Sequence, residues 1–228
     1  MKNKILFVLI YIAAGVAAAA LGVFLFLQNH YMLLSLLVAV LCCLAFFLKY
    51  ERGNQSSAQI VTLCSVIALS VAGRCVFSVI PFFKPVTAIV IISGLYFGKE
   101  FAFLAGALSA LISNFVFSQG MWTPFQMAAW GMCGFCAALL ANALKKHKIW
   151  LCLYGAAAGL LYSLIVDINT VFWIDKYFSL KRYLAVCITS FPFTVTYAVS
   201  NVLFIILLAR PLEKTFVRIK TKYGLNGI

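Results

Sequence analysis

Apolar residues in this chain run in long unbroken stretches, and short clusters of charge, proline, glycine or amide separate one stretch from the next. The runs lie near 5–27, 31–48, 58–80, 86–97, 101–117, 125–144, 149–172 and 184–209. None shows the in-and-out alternation of a barrel strand. Backbone amides in hydrocarbon must be satisfied within the protein, so continuous apolar runs of this length predict helices, eight in all. At about 1.5 Å of rise per residue, 86–97 is too short to cross a bilayer and reads as a partial span paired with its neighbour.

Composition strengthens this picture. Of 228 residues, 65% are hydrophobic and 10% charged, and the mean hydropathy is +1.07, which excludes an ordinary soluble domain. The chain reads as an all-α integral membrane protein. Its net charge of +13 does not mark a nucleic-acid surface, because the basic residues sit at segment ends. With the N-terminus in the cytoplasm, Lys2, Lys4, Lys49, Arg52, Lys99, Lys145, Lys146, Lys148, Arg210, Lys214, Arg218, Lys220 and Lys222 fall inside. Lys84, Lys176, Lys181 and Arg182 fall outside, and Arg74 lies within a span. This bias predicts a multi-pass protein of the cell membrane with both termini cytoplasmic. The first run, preceded by Lys2 and Lys4, resembles a signal peptide, but its length and the span that follows predict that it is retained.

The polar stretch Lys49–Ser57 separates two alanine- and leucine-rich helices from the six that follow. The expected organisation is therefore 1–57, two N-terminal transmembrane helices and a cytoplasmic loop; 58–222, a six-helix core; and 223–228, a cytoplasmic tail. The eight cysteines, including Cys42-Cys43 and Cys133-x-x-Cys136, fall almost entirely inside spans and read as small packing residues. With His30 and His147 the only histidines, no metal site is expected. No phosphate-binding G-x-x-x-x-G-K-[ST] occurs, so no cofactor is expected in this chain and any ATP falls to a partner.

Polarity gathers in SNFVFSQGMWTPFQMAAWG, residues 113–131. Asn114 ends one rising helix, Gln119, Trp122 and Thr123 follow across the outer surface, and Gln126 and Trp130 share a face of the descending helix. Pro124 suits its first turn. Arg74, Asp167, Asn169, Tyr197 and Asn201 are expected at similar depth on three other helices. Ionisable groups within a span are costly unless paired or facing a wet cavity, so the set reads as an outward-opening pocket. Other roles compete: an interfacial anchor for Trp122, interhelical hydrogen bonds for Asn114, Gln126 and Asn201, and mutual neutralisation for Arg74 with Asp167. Lys84, between Pro81 and Pro85, reads as an exposed loop charge. On the cytoplasmic half of the 58–80 helix, Ala68 and Ala72 with Cys64 and Ser65 form a small-residue stripe that allows close helix approach.

Taken in order, these residues resemble the substrate-binding S-component of energy-coupling factor (ECF) vitamin transporters over roughly 58–222. The marks are Ala-Gly-Arg at 72–74, Lys-Pro-Val-Thr-Ala-Ile-Val-Ile at 84–91, Gln-Gly-Met-Trp-Thr-Pro-Phe-Gln-Met at 119–127, Ala-Trp-Gly at 129–131, and Ser-Asn-Val-Leu-Phe at 200–204 running to Arg-Pro-Leu at 210–212. The group assigned to cobalamin uptake is the most similar. The resemblance implies a six-helix module that captures a vitamin outside and docks on a transmembrane T-component carrying two ATPase subunits. It also implies a docking motif at Ala68 and Ala72. The family pattern carries Pro and Trp where this chain has Met121 and Phe125, which alters the pocket and leaves the vitamin open among cobalamin, pyridoxine, riboflavin and queuosine-like bases.

Two other classes were weighed. An intramembrane enzyme needs paired acids, an acid with histidine, or a metal cluster, and Glu51, Glu100, Asp167, Asp175 and Glu213 form no such motif. A stand-alone secondary carrier would show an inverted repeat, and none is evident.

Overall fold

The computed structural model describes residues 57–225 together with Leu21, Leu33, Leu37 and Leu41. The two expected N-terminal helices otherwise lie outside the described residues, as do the loop before Ser57 and residues 226–228. The described segment is helical throughout: α1 Ser57–Val76, α2 Val86–Phe97, α3 Lys99–Phe117, α4 Trp122–Leu139, the single-turn α5 Ala141–Leu144, α6 Lys148–Asp175 and α7 Leu180–Tyr223. Four of these, α1, α3, α6 and α7, are long and apolar enough to cross a membrane. The chain is thus a multi-pass membrane protein of all-α architecture.

The short α2 is the hub. Its twelve residues are almost all buried, because α1, α3, α4 and α7 surround it. A helix hydrophobic on every side belongs in a core, which explains why 86–97 lacks an amphipathic pattern. Gly98, at φ 89°, carries the chain from α2 directly into α3 in a conformation that costs other residues more.

Two close approaches set the architecture around the site. A Cβ on Gly106 of α3 would lie 2.5 Å from the backbone carbonyl of Trp130, so glycine is what lets α3 and α4 touch along their backbones. On the other side, a Cβ on Gly159 of α6 would meet the Ala198 backbone of α7 at 2.9 Å. Backbone contact of this kind is the usual basis of tight helix pairing where the hydrophobic effect gives no drive between helices.

Boundaries differ from the apolar runs at three places, one of them the run over 125–144, which Leu140 divides into α4 and α5. The run over 58–80 ends as a helix at Val76, and turns follow up to Pro85. The last run extends well past 209: α7 continues through Pro211 to Tyr223, 44 residues in all. Proline removes only its own backbone donor, and the continuation is held by apolar packing of Phe216 and Leu225 with Leu63, Ile92, Phe97 and Phe101. Lys220 Nζ also donates to the Tyr96 carbonyl at 2.8 Å, near the carbonyl end of α2, where a cation complements the helix dipole.

Candidate functional site

One end of the bundle carries the connections 77–85, 118–121 and 176–179, the end that the charge distribution assigns to the outside. Just beneath it, Arg74 in the last turn of α1 reaches α3. Its Nη1 donates to Ser113 Oγ and to Asn114 Oδ1, the latter at 2.8 Å. Asn114 passes the contact on to α4, its Nδ2 donating at 2.9 Å to both Thr123 Oγ1 and Gln126 Oε1. Asn114 and Thr123 are fully buried, so a single amide on α3 satisfies groups from two other helices away from solvent.

Below this network lies an aromatic layer. The Trp130 indole is wholly buried, and its Nε1 donates to Tyr197 Oη at 2.6 Å. The Tyr197 hydroxyl also shares a hydrogen bond with Thr87 Oγ1 of α2. Trp130 stacks on Tyr162 with ring centres 5.5 Å apart and planes 28° from parallel, and Tyr162 lies 4.6 Å from Tyr197. Arg74 couples the two layers: its guanidinium carbon lies 4.6 Å from the Phe117 ring centre and 5.2 Å from that of Trp130.

Arg74, Asn114, Thr123, Gln126, Trp130 and Tyr197 therefore form one connected group. Other residues singled out in the sequence lie elsewhere. Asp167 accepts from Ser190 Oγ at 2.7 Å on the α6–α7 interface, and no ion pair joins it to Arg74 among the described residues. Asn201 donates to the Gly155 carbonyl at 3.1 Å, a contact that belongs to helix pairing. Gln119 donates to the Leu111 carbonyl at 3.0 Å, and Trp122 lies over Gly120, partly exposed. Asn169 is buried on α6, its Oδ1 without a protein partner.

Above Arg74 the connection 77–85 turns Phe77, Phe83, Lys84 and Pro85 toward the bundle while residues 78–82 stay exposed. Phe77, Phe83 and Phe204 cluster edge to face and tilted, with centres 4.9 to 5.9 Å apart. Lys84 N donates to Ser200 Oγ at 2.9 Å, and Phe82, at φ 59°, rests 4.7 Å from Phe193. A cavity of about 110 Å³ remains, lined by Arg74, Phe77, Pro81, Phe83, Lys84 and Phe117. Lys84 is thus half-buried, not the exposed loop charge expected from its neighbouring prolines. Burial, and next the nearby Arg74, push its ammonium down to about 8. Thr87, Ser113 and Tyr162 carry no separate signal in the amino-acid pattern, since lone hydroxyls inside apolar runs most often bond their own helix.

On the outward face of α1, Ala68 and Ala72 are exposed beside Val61, Cys64, Ser65 and Leu69. Their small side chains leave the α1 backbone open to approach from outside the bundle.

Fold and site together define an integral membrane protein with a buried polar and aromatic cluster at one end, beneath a small cavity lined by Arg74 and Lys84. Residues 54–216, well over half of the chain, match the family described as ECF-type riboflavin transporter, S component, and the chain belongs to that family. It is a transporter component and not an enzyme. Neither the curated proteins nor the solved structures compared with it gave a match.

Proposed function

We propose that this chain captures a vitamin at the outer membrane face and delivers it to a T-component energised by two ATPase subunits, itself holding no nucleotide. The observation that carries the reading is the convergence of Arg74, Asn114, Thr123, Gln126, Trp130 and Tyr197 at one end of a bundle that belongs to this family. Amides and an indole beside a guanidinium suit a flat heterocycle bearing carbonyl or amide groups. Gln119, Trp122, Asp167, Asn169 and Asn201, which lie apart from that group, are secondary substrate contacts in this reading. Both termini are cytoplasmic in this reading, on the strength of the basic residues at the opposite end.

Cobalamin is the first substrate, on the resemblance of residues 119–131 to the cobalamin group. Riboflavin is the second, on the description of the matching family. Sites for ligands of drug size usually enclose roughly 300–1,000 Å³, so the cavity of about 110 Å³ admits a whole vitamin only when the 77–85 connection swings outward. The Lys84–Ser200 and Phe82–Phe193 contacts are the latches that release. Ala68 and Ala72 form the docking surface for the T-component, and the two N-terminal helices add packing outside the six-helix core.

The test is calorimetry on the purified chain with cobalamin and riboflavin in the absence of nucleotide. Saturable binding of one of them is expected. Binding that requires ATP or the partner subunits would overturn the reading.

A further inference from the structure

The cavity above Arg74 has an unusual charge balance. Two cations, Arg74 from α1 and Lys84 from the connection that follows it, line the same small space, and no described acidic residue lines it with them. The ion pair of Arg182 with Asp175 lies elsewhere, on the α6–α7 side. Arg74 spends only Nη1 on protein acceptors, leaving Nε and Nη2 without one among the described residues. Among the described residues the Lys84 ammonium meets the Phe82 ring, 5.9 Å away, which is a weak partner. Burying two like charges together without a counter-ion is unfavourable, and a protein retains such an arrangement where an anion completes it. The rest of the lining is mainly apolar, and Phe77, Phe82, Phe83 and Phe117 give it aromatic faces.

We infer that Arg74 and Lys84 form an anion subsite of the vitamin pocket, taking a carboxylate or phosphate group attached to a planar, apolar body. The guanidinium offers two further donors in a planar fork, and the ammonium a third direction, so the anion is held from two elements at once. Because Lys84 rides on the connection that covers the site, the anion also ties that connection down. This inference rests on the transport reading above and narrows it: of the two vitamins it favours cobalamin, whose phosphodiester is anionic, over riboflavin, which carries no carboxylate or phosphate.

Benzoate and benzamide, which share a ring and differ in charge, are the probes. Binding of each to the full-length purified protein is measured at constant ionic strength by competition-free calorimetry or ligand-detected NMR. Benzoate is expected to bind at least about tenfold more tightly than benzamide, the scale of one charge-assisted contact. Lys84→Met, which keeps the backbone bond to Ser200, is expected to remove that preference, and Lys84→Glu to reverse it. Arg74→Met should act in the same direction, and Lys84→Met serves alone if the arginine variant does not fold. Equal binding of the two probes by the wild type, or a benzoate preference retained in Lys84→Met, overturns the inference. Neither probe is a vitamin, so that failure leaves the transport reading standing; the latter fails separately if neither cobalamin nor riboflavin binds.

Discussion

Asn114 does more bonding than any other polar side chain at the site, accepting from Arg74 and donating to Thr123 and Gln126. Asn114→Ala leaves three partners short at once, two of them buried, so it is expected to lower stability by about 1 to 3 kcal/mol as well as weaken vitamin binding. Gln126→Ala removes one of those partners and leaves Arg74 in place, so a smaller stability change is expected with a roughly three- to tenfold loss of affinity. Thermal unfolding and calorimetry on the same samples separate the two effects; identical losses of stability in both variants would contradict this ranking. Lys84 gives a pH test. Arg74 of α1 is the charged group acting on it, and its own protonated form is the one that holds an anion. Anion binding raises the lysine's proton affinity, so benzoate affinity should stay level up to about pH 7 and fall as pH rises through about 8. A profile that is unchanged in Lys84→Met would contradict the assignment. The sequence made Asn114, Gln126 and Trp130 visible because amides and indoles stand out in apolar runs. It hid the role of Lys84, since prolines on both sides describe a loop equally well whether that loop points outward or folds over a cavity.

Among the elements, α3 and α4 meet through Gly106, and the Trp130 backbone occupies the space a side chain would take. Gly106→Val should therefore force the pair apart and shift Trp130, costing about 1 to 3 kcal/mol of stability with loss of binding. Intrinsic tryptophan fluorescence reports it, and an unshifted spectrum with native stability would refute the packing argument. The far half of α7 carries a second expectation. At about 1.5 Å per residue its 44 residues extend roughly 66 Å, more than a bilayer core requires. The extra length is anchored by Phe216, buried against Phe97 at 5.1 Å between ring centres. Phe216→Ala should cost roughly 3 to 5 kcal/mol, read as a lowered Tm, whereas a freely projecting tail would show no change. Helix existence was legible from the apolar runs because hydrocarbon enforces it. The end of α7 was not, because beyond Arg210 the chain becomes amphipathic and polar, and its helix is stabilised by tertiary packing that a hydropathy pattern does not record.

For the whole molecule, the account separates capture from energy. The polar and aromatic residues gather near one end, while Ala68 and Ala72 lie exposed on the flank of α1 facing away from them. Replacing both alanines by tryptophan should abolish uptake by the reconstituted transporter while vitamin affinity of the isolated chain stays within about twofold, because bulk on that flank holds a partner helix away without touching the site. Uptake at the normal rate would show that the stripe has no docking role. Family membership was legible through short marks such as 72–74 and 119–131, which survive as local sequence. The vitamin was not, because the residues that converge beneath the 77–85 connection come from separated helices, and no single motif records that arrangement. The most direct measurement is therefore titration of the purified chain, without nucleotide or partner subunits, with cobalamin and with riboflavin, following quenching of tryptophan fluorescence in wild type and Trp130→Phe. The account requires saturable, one-to-one quenching by one of the two vitamins, weakened in the variant; absence of binding by both would contradict it.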